Sequence, residues 1–259
     1  MSGPLLSLPD VARELDEAAC TPRAAEQFAE RRPMTLAEAY EVQRLLIQRR
    51  IDRGHRRIGM KMGFTSRAKM VQMGVHDMIW GRLTHDMRVD EGGELKLSTR
   101  VHPRVEPEIA FLLRKPLSGI VSPVEALDAV EAIAPALEII DSRYKAFKFS
   151  LEDVVADNAS SSGVVIGTWH KPSIDFSNLG LIMSCNGKPQ QVGTTAAILG
   201  HPVRSLVAAA RLVAEAGEIL PEGSIVMAGG ASAAEALVAG TWVELEMQEL
   251  GRVGFHVTA

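Results

Sequence analysis

Val105-Glu106-Pro107-Glu108-Ile109-Ala110-Phe111-Leu112-Leu113 is an apolar run interrupted by two glutamates. It has the length and composition of a buried strand, and the two-residue period of a strand sets Glu106, Glu108 and Ala110 on one face. A second apolar stretch, Ala136-Leu137-Glu138-Ile139-Ile140, ends at Asp141 and reads as another strand with a glutamate in its middle. Unpaired buried carboxylates are costly, and a hard divalent cation removes that cost. Glu106, Glu108 and Glu138 together offer an all-oxygen ligand set, which suits Mg²⁺ or Mn²⁺ better than Zn²⁺. The plainer alternative leaves Glu106 and Glu108 on a solvated strand face, paired to Arg104 or Lys115.

On the N-terminal side of these strands the pattern is helical. Asp10 stands where it can cap a first helix, and Thr35-Leu36-Ala37-Glu38 has capping-box spacing before Ala39, Val42, Leu45 and Leu46, with Gly54 at the helix end. From Gly59 onward short segments punctuated by glycine suit strands and turns. Between the two glutamate strands, Ser122-Pro123-Val124-Glu125 opens a helix that Pro135 is expected to stop. A polar linker from Asp141 to Asp153 follows. Farther on, a helix after Gly200-His201-Pro202 buries Leu206, Val207, Ala210 and Val213 and ends at Gly217, and the chain closes on strands in which Val243, Leu245 and Met247 alternate with polar neighbours. The expected layout is a helical N-terminal region, 1–57, and a strand-rich catalytic body, 58–259.

The 32 acidic and 28 basic residues are mixed along the 259-residue chain, without a basic block to neutralise phosphates, so nucleic acid is not an expected partner. No uninterrupted apolar run reaches the length of a membrane span, and the acidic, proline-containing first thirty residues fit no signal or transit peptide. Cys20 and Cys185, the two cysteines, are far apart and suit a reducing compartment, so the expected location is cytoplasmic.

Gly59-Met60-Lys61-Met62-Gly63-Phe64-Thr65-Ser66, His102-Pro103-Arg104-Val105-Glu106-Pro107-Glu108, Glu138-Ile139-Ile140-Asp141-Ser142-Arg143 and Ala156-Asp157-Asn158-Ala159-Ser160-Ser161 follow one another in this order. In order and spacing they resemble the 2-oxopent-4-enoate hydratase and 4-oxalocrotonate decarboxylase family of the fumarylacetoacetate hydrolase superfamily, over nearly the whole chain. The resemblance implies an α+β fold, a mixed, rolled β-sheet body with flanking helices. It maps the metal carboxylates onto Glu106, Glu108 and Glu138 and the active-site lysine onto Lys61. It further implies a small 2-oxo dicarboxylic acid as substrate, a homo-oligomer, and a complex with the hydratase of the same pathway.

Other residues around these motifs carry two readings each. Lys61 either points into a cleft, to bind a substrate carboxylate or carbonyl or to move a proton, or lies on a surface turn. Ser160 or Ser161 donates a hydrogen bond to substrate, while Asp157 and Asn158 either take part or hold that loop. Asp141 and Arg143 form an ion pair bordering the metal site or a surface pair. Gly229-Gly230 lets backbone approach a ligand or makes an ordinary turn. His76, His102 and His201 read more simply as loop residues than as acid-base groups.

Within the family, two stretches favour the decarboxylating branch. Met78-Ile79-Trp80-Gly81 puts isoleucine where the hydratases carry an aspartate in Pro-Asp-Phe-Gly, and isoleucine cannot take a proton from water. Asp141-Ser142-Arg143-Tyr144-Lys145-Ala146-Phe147-Lys148-Phe149 resembles the decarboxylase form, as do residues 68–75. The expected reaction is decarboxylation of 2-oxohex-3-enedioate to 2-hydroxypenta-2,4-dienoate in meta-cleavage degradation of aromatic compounds. The alternatives are hydration of that dienoate and a non-catalytic partner that keeps the fold.

Overall fold

The structure, a computed structural model, describes residues 6–66, 70–71 and 77–259. Three helices come first: α1 (Leu8–Cys20), α2 (Phe28–Arg31) and α3 (Leu36–Asp52). Thr35 and Glu38 close the expected capping box on α3, and Gly54 follows its end at φ 93°. The cap of α1 differs from expectation. Ser7, not Asp10, is the N-cap, and its hydroxyl accepts the Asp10 backbone N–H and donates to the Asp10 carboxylate. Ser7-Leu8-Pro9-Asp10 thus puts proline in the first turn, where no helix bond is lost.

Eight strands form the main sheet: β1 (Arg57–Gly63), β2 (Ile79–Thr84), β3 (Arg88–Val89), β5 (Pro103–Leu113), β6 (Val130–Asp141), β7 (Ser161–Ile166), β10 (Ile225–Met227) and β11 (Glu235–Ala236). Their order is β2-β1-β10-β5-β6-β7-β3, with β11 paired to the start of β5. The β1–β10 and β3–β7 pairs are parallel and the others antiparallel, so the sheet is mixed. A second sheet, β4-β13-β12-β8-β9, comprises β4 (Glu94–Lys96), β8 (Gly180–Cys185), β9 (Lys188–Thr194), β12 (Thr241–Met247) and β13 (Gly251–Thr258). In β12 Val243, Leu245 and Met247 are buried, as their alternation predicts.

The two faces of the main sheet meet different partners, and this positions the glutamates. Val105, Ile109 and Phe111 of β5 and Ile133, Leu137 and Ile139 of β6 pack with Val243, Leu245 and Phe255 of the second sheet and with Leu206 and Val213 of the helix that follows His201. Ala110 and Ala136 face the opposite way, into a core shared with Val11 and Leu15 of α1, Val42 and Leu46 of α3, and Val154 and Val155 of α5 (Leu151–Ala156). Burial on both faces explains the near-continuous apolar runs of β5 and β6. Glu106, Glu108 and Glu138 share the parity of Ala110 and Ala136, so they project on the side that the helices cover.

Two expectations between these strands are corrected. Helix α4 (Pro123–Asp128), with its Ser122–Glu125 capping box, ends well before Pro135, which lies inside β6. The Pro135 carbonyl accepts the Gly167 N–H just past Ala136–Ile166, the last β6–β7 pair, so the missing proline N–H falls where that ladder has ended. The stretch from Asp141 is not a solvated linker either: Asp141, Ser142, Arg143 and Tyr144 are all buried. Helix α6 (Pro202–Glu215) starts with the His201 ring accepting the Val203 N–H and ends before Gly217, at φ 70°. Thr195–Glu215 has the length and apolar composition of a membrane span, yet its inner face is packed into the inter-sheet core. His76 and residues 68–75, apart from Met70 and Val71, lie outside the described residues.

Candidate active site

Antiparallel pairing sets Glu106 of β5 directly opposite Glu138 of β6, with Glu108 opposite Ala136. One carboxylate oxygen from each of Glu106, Glu108 and Glu138 lies within 4.8 Å of the other two. Glu108 and Glu138 are fully buried and Glu106 is partly so. The solvated-face alternative is therefore excluded. Lys115 pairs with Asp128 at the surface, and Arg104 lies over the Phe147 ring, 4.5 Å from its centroid.

Met60 and Met62 of β1 enter the inter-sheet core, so Lys61 between them turns to the glutamate side. It is 3% exposed, and its Nζ stands 3.0 Å from Oε1 and 3.1 Å from Oε2 of Glu138. The Gly229 N–H donates to Glu108 Oε2 at 2.7 Å. Gly229 is at φ 102°, and a Cβ on Gly230 would come within 2.9 Å of Glu106 Oε2. The glycine pair after β10 is thus part of the site and not an ordinary turn.

Glu108 and Glu138, both fully buried, crowd one ammonium. Burial first, then the charges of Glu138 and Glu106, push the Glu108 carboxyl well above the usual range. Burial also raises Glu138. Burial alone would lower Lys61, but the three glutamates outweigh it and hold the ammonium charged. Among the described residues Glu108 Oε1 is buried without a hydrogen-bond donor. Crowded buried carboxylates, an orphaned oxygen and an all-oxygen donor set are what a hard divalent cation satisfies, so the residues present fit such an ion.

A cavity of about 390 Å³ opens over Lys61 and Glu106. Its wall is apolar at Phe64, Ile79, Ile140, Phe147, Phe149 and Val154, with Ser160 and Arg104 adding polar groups. Asn158, Ala159 and Ser160 form one left-handed turn, with φ of 53°, 51° and 57°. Such a conformation costs about 1–2 kcal/mol per residue and persists only where the surroundings impose it. Here Asn158 imposes it by bonding both ways to strand β2: its Oδ1 accepts the Arg82 N–H at 2.7 Å and its Nδ2 donates to the Arg82 carbonyl at 2.8 Å. Gly81 permits the approach, since a Cβ there would sit 2.5 Å from the Asn158 carbonyl.

The turn separates the two serines. Ser160 lines the cavity with a buried Oγ that has no hydrogen-bond partner among the described residues, whereas the Ser161 hydroxyl points to Met87 Sδ at 3.9 Å. Ser161 is therefore not a cavity residue. The expected Asp141–Arg143 pair is also not made. Arg143 binds Asp157, with Nε 2.5 Å from Oδ1, and Asp141 instead accepts the backbone N–H groups of Val101 and His102. Burial, only partly offset by Arg143, raises Asp157 to about 6. Asp157 and Asn158 both brace the Ser160 turn.

Arg104, Phe147 and Phe149 line the cavity although nothing in the sequence alone places them there. The one available signal was the parity of Arg104 with Glu106. Gln43 of α3 was also missed: its amide donates to the carbonyls of Trp80 and Val155 at 3.0 and 2.9 Å, tying the N-terminal helices to the cavity wall. Its signal was a polar side chain on the α3 stripe of Ala39, Val42, Leu46 and Ile47.

Residues 71–258 match the family described as fumarylacetoacetate (FAA) hydrolase C-terminal. The chain belongs to the fumarylacetoacetate hydrolase family. It is 61% identical over 248 residues to a 4-oxalocrotonate decarboxylase of Pseudomonas sp., covering 96% of this chain and 97% of that one. A 2-hydroxyhexa-2,4-dienoate hydratase of Comamonas testosteroni is 32% identical, over 95% of this chain and 96% of its own. Among solved structures, 4-oxalocrotonate decarboxylase from Pseudomonas putida G7, complexed with magnesium and adipate, superposes with a TM-score of 0.95 at 36% identity, over 98% of this chain and 100% of that one.

Proposed function

We propose that the protein is a metal-dependent carboxy-lyase of 2-oxo dicarboxylic acids. Its reaction is the decarboxylation of 2-oxohex-3-enedioate (4-oxalocrotonate) to 2-hydroxypenta-2,4-dienoate and CO2. The observation that carries this reading over hydration is the cavity wall: Ile79, Ile140, Phe147 and Phe149 present no carboxylate to activate water. The 61% identity to a 4-oxalocrotonate decarboxylase supports the same choice.

Glu106, Glu108 and Glu138 would hold the cation, Mg²⁺ or Mn²⁺ in this proposal. When bound, it supplies Lewis-acid stabilisation of negative charge developing at the 2-oxo oxygen. Lys61, held charged beside Glu138, gives the cationic donor on the same side and the proton that the product's 2-hydroxyl needs. The Ser160 hydroxyl donates to the bound acid. As the C5–C6 bond breaks, its electron pair moves through C3=C4 to the 2-oxo oxygen, CO2 departs, and one proton is taken up. The apolar wall favours this step, because it disperses the charge of a carboxylate that would be well solvated in water. A cytoplasmic homo-oligomer that passes its dienol to the pathway's hydratase belongs to the same proposal.

Purified protein with Mg²⁺ or Mn²⁺ and 2-oxohex-3-enedioate is expected to release CO2, followed by ultraviolet absorbance. No CO2, together with rapid hydration of 2-hydroxypenta-2,4-dienoate, would assign the chain to the hydratases instead.

A further inference from the structure

Arg104 and Glu106 are two residues apart on β5, so their side chains leave the same face with Cα atoms about 6.7 Å apart. In register, Arg104 lies opposite Ile140, one row beyond the Glu106–Glu138 pair. The charged side chains among the described residues lining the cavity are Lys61, Glu106 and Arg104. Lys61 is committed to Glu138. Arg104 is partly buried, rests on the Phe147 ring, and has no carboxylate partner among the described residues.

We infer that Arg104 binds the distal carboxylate of the substrate, the one that leaves as CO2. The inference rests on the proposed reaction and adds the residue that selects a diacid over a monoacid. An extended six-carbon diacid spans about 6 Å between its carboxyl carbons, which matches one two-residue step along a strand. With its 2-oxo acid end at the glutamates, its far end reaches the Arg104 row. A guanidinium is planar and binds a carboxylate through two parallel N–H bonds, and the Phe147 ring beneath fixes that plane. The same contact stabilises bound substrate and weakens as the carboxylate becomes CO2, so it lowers KM without raising kcat, and the apolar wall, not Arg104, favours the bond breaking. The product has lost this carboxylate, and with it the contact, which favours its release.

The test is titration calorimetry on the full-length Mg²⁺-loaded protein with 2-oxohexanedioate and 2-oxohexanoate, unreactive saturated acids that differ only in the distal carboxylate. Wild type is expected to bind the diacid about ten- to hundredfold more tightly. Arg104→Gln is expected to bring the diacid down to the affinity of the monoacid, leave the monoacid unchanged, and raise KM for 2-oxohex-3-enedioate with kcat level or higher. Arg104→Lys, which keeps charge and loses the fork, is expected to keep part of the preference, and decides the matter should the Gln variant not fold. A preference intact in either variant overturns the inference, and so does equal weakening of both acids. If wild type binds neither acid, the proposed reaction fails first and this inference with it.

Discussion

Arg143 holds Asp157 at both carboxylate oxygens, donating Nε to Oδ1 at 2.5 Å and its backbone N–H to Oδ2 at 3.0 Å. The Arg143 Nη2 also donates to the Asp157 carbonyl, at 2.5 Å, and that carbonyl accepts the Ser160 N–H at 3.0 Å. One buried ion pair therefore sets the turn that delivers the Ser160 hydroxyl to the cavity.

Because burial raises Asp157 to about 6, the pair is ionised above that pH and lost below it. The profile of kcat/KM is expected to show an acid limb near pH 6, absent in Asp157→Asn, whose activity is low at every pH. Stability moves the opposite way. Between about pH 4 and 6 the unfolded chain has ionised this carboxyl and the folded chain still holds its proton, so stability falls by about 3 kcal/mol as pH rises through that window. Denaturant melts of wild type and Asp157→Asn across pH 4–7 measure it; identical slopes would contradict the assignment.

Glu108→Gln removes a carboxylate that is buried, crowded by two others and left with an orphaned oxygen. The metal-free variant is expected to melt about 2–8 °C above metal-free wild type, since Gln spares the cost of holding that carboxyl protonated on folding, about 1–4 kcal/mol. It is also expected to lose the rise in Tm expected of wild type with Mg²⁺, about 2.7 kcal/mol when the ion is at a hundred times its Kd. Thermal scans with EDTA and with Mg²⁺ compare the two.

Lys61→Met separates turnover from metal binding. The site then keeps all three carboxylates and loses the ammonium beside Glu138. Divalent affinity, measured with Mn²⁺ by electron paramagnetic resonance, is expected to hold or increase, while kcat drops by about 10²–10⁴. A parallel loss of metal would make the lysine part of the ion's support instead.

Ile79→Asp places a carboxylate in the apolar wall, at a position 4% exposed. Repulsion of the distal carboxylate and a more polar pocket are expected to slow decarboxylation at least about tenfold. Assay of the variant on both 2-oxohex-3-enedioate and 2-hydroxypenta-2,4-dienoate reads this directly. Unchanged decarboxylation would show that the wall is not part of the chemistry.

The central strands were legible because a glutamate inside an apolar run has few explanations, and Glu108 and Glu138 carried that signal. Capping boxes at Thr35 and Ser122 were legible for a local reason: each partner lies three residues away. The errors have a common physical form. Arg143 prefers Asp157, fourteen residues on, to nearby Asp141, and that choice is made by packing. Ser160 and Ser161 could not be ranked by strand period, because three left-handed residues break the alternation. Pro135 reads as a stop signal until one knows that the neighbouring strand has already ended.

The two-sided character of the central sheet has one more consequence. The carboxylates grow from strands locked between two cores, while Ile79, Phe147, Phe149 and Ser160 come from strand ends and short turns at the rim. Electrophile and outcome are thus encoded in separable pieces of chain. A lineage could exchange the rim and change which bond is made or broken without disturbing the anchor, and transplanting residues 144–160 between relatives would retrace such a step in the laboratory.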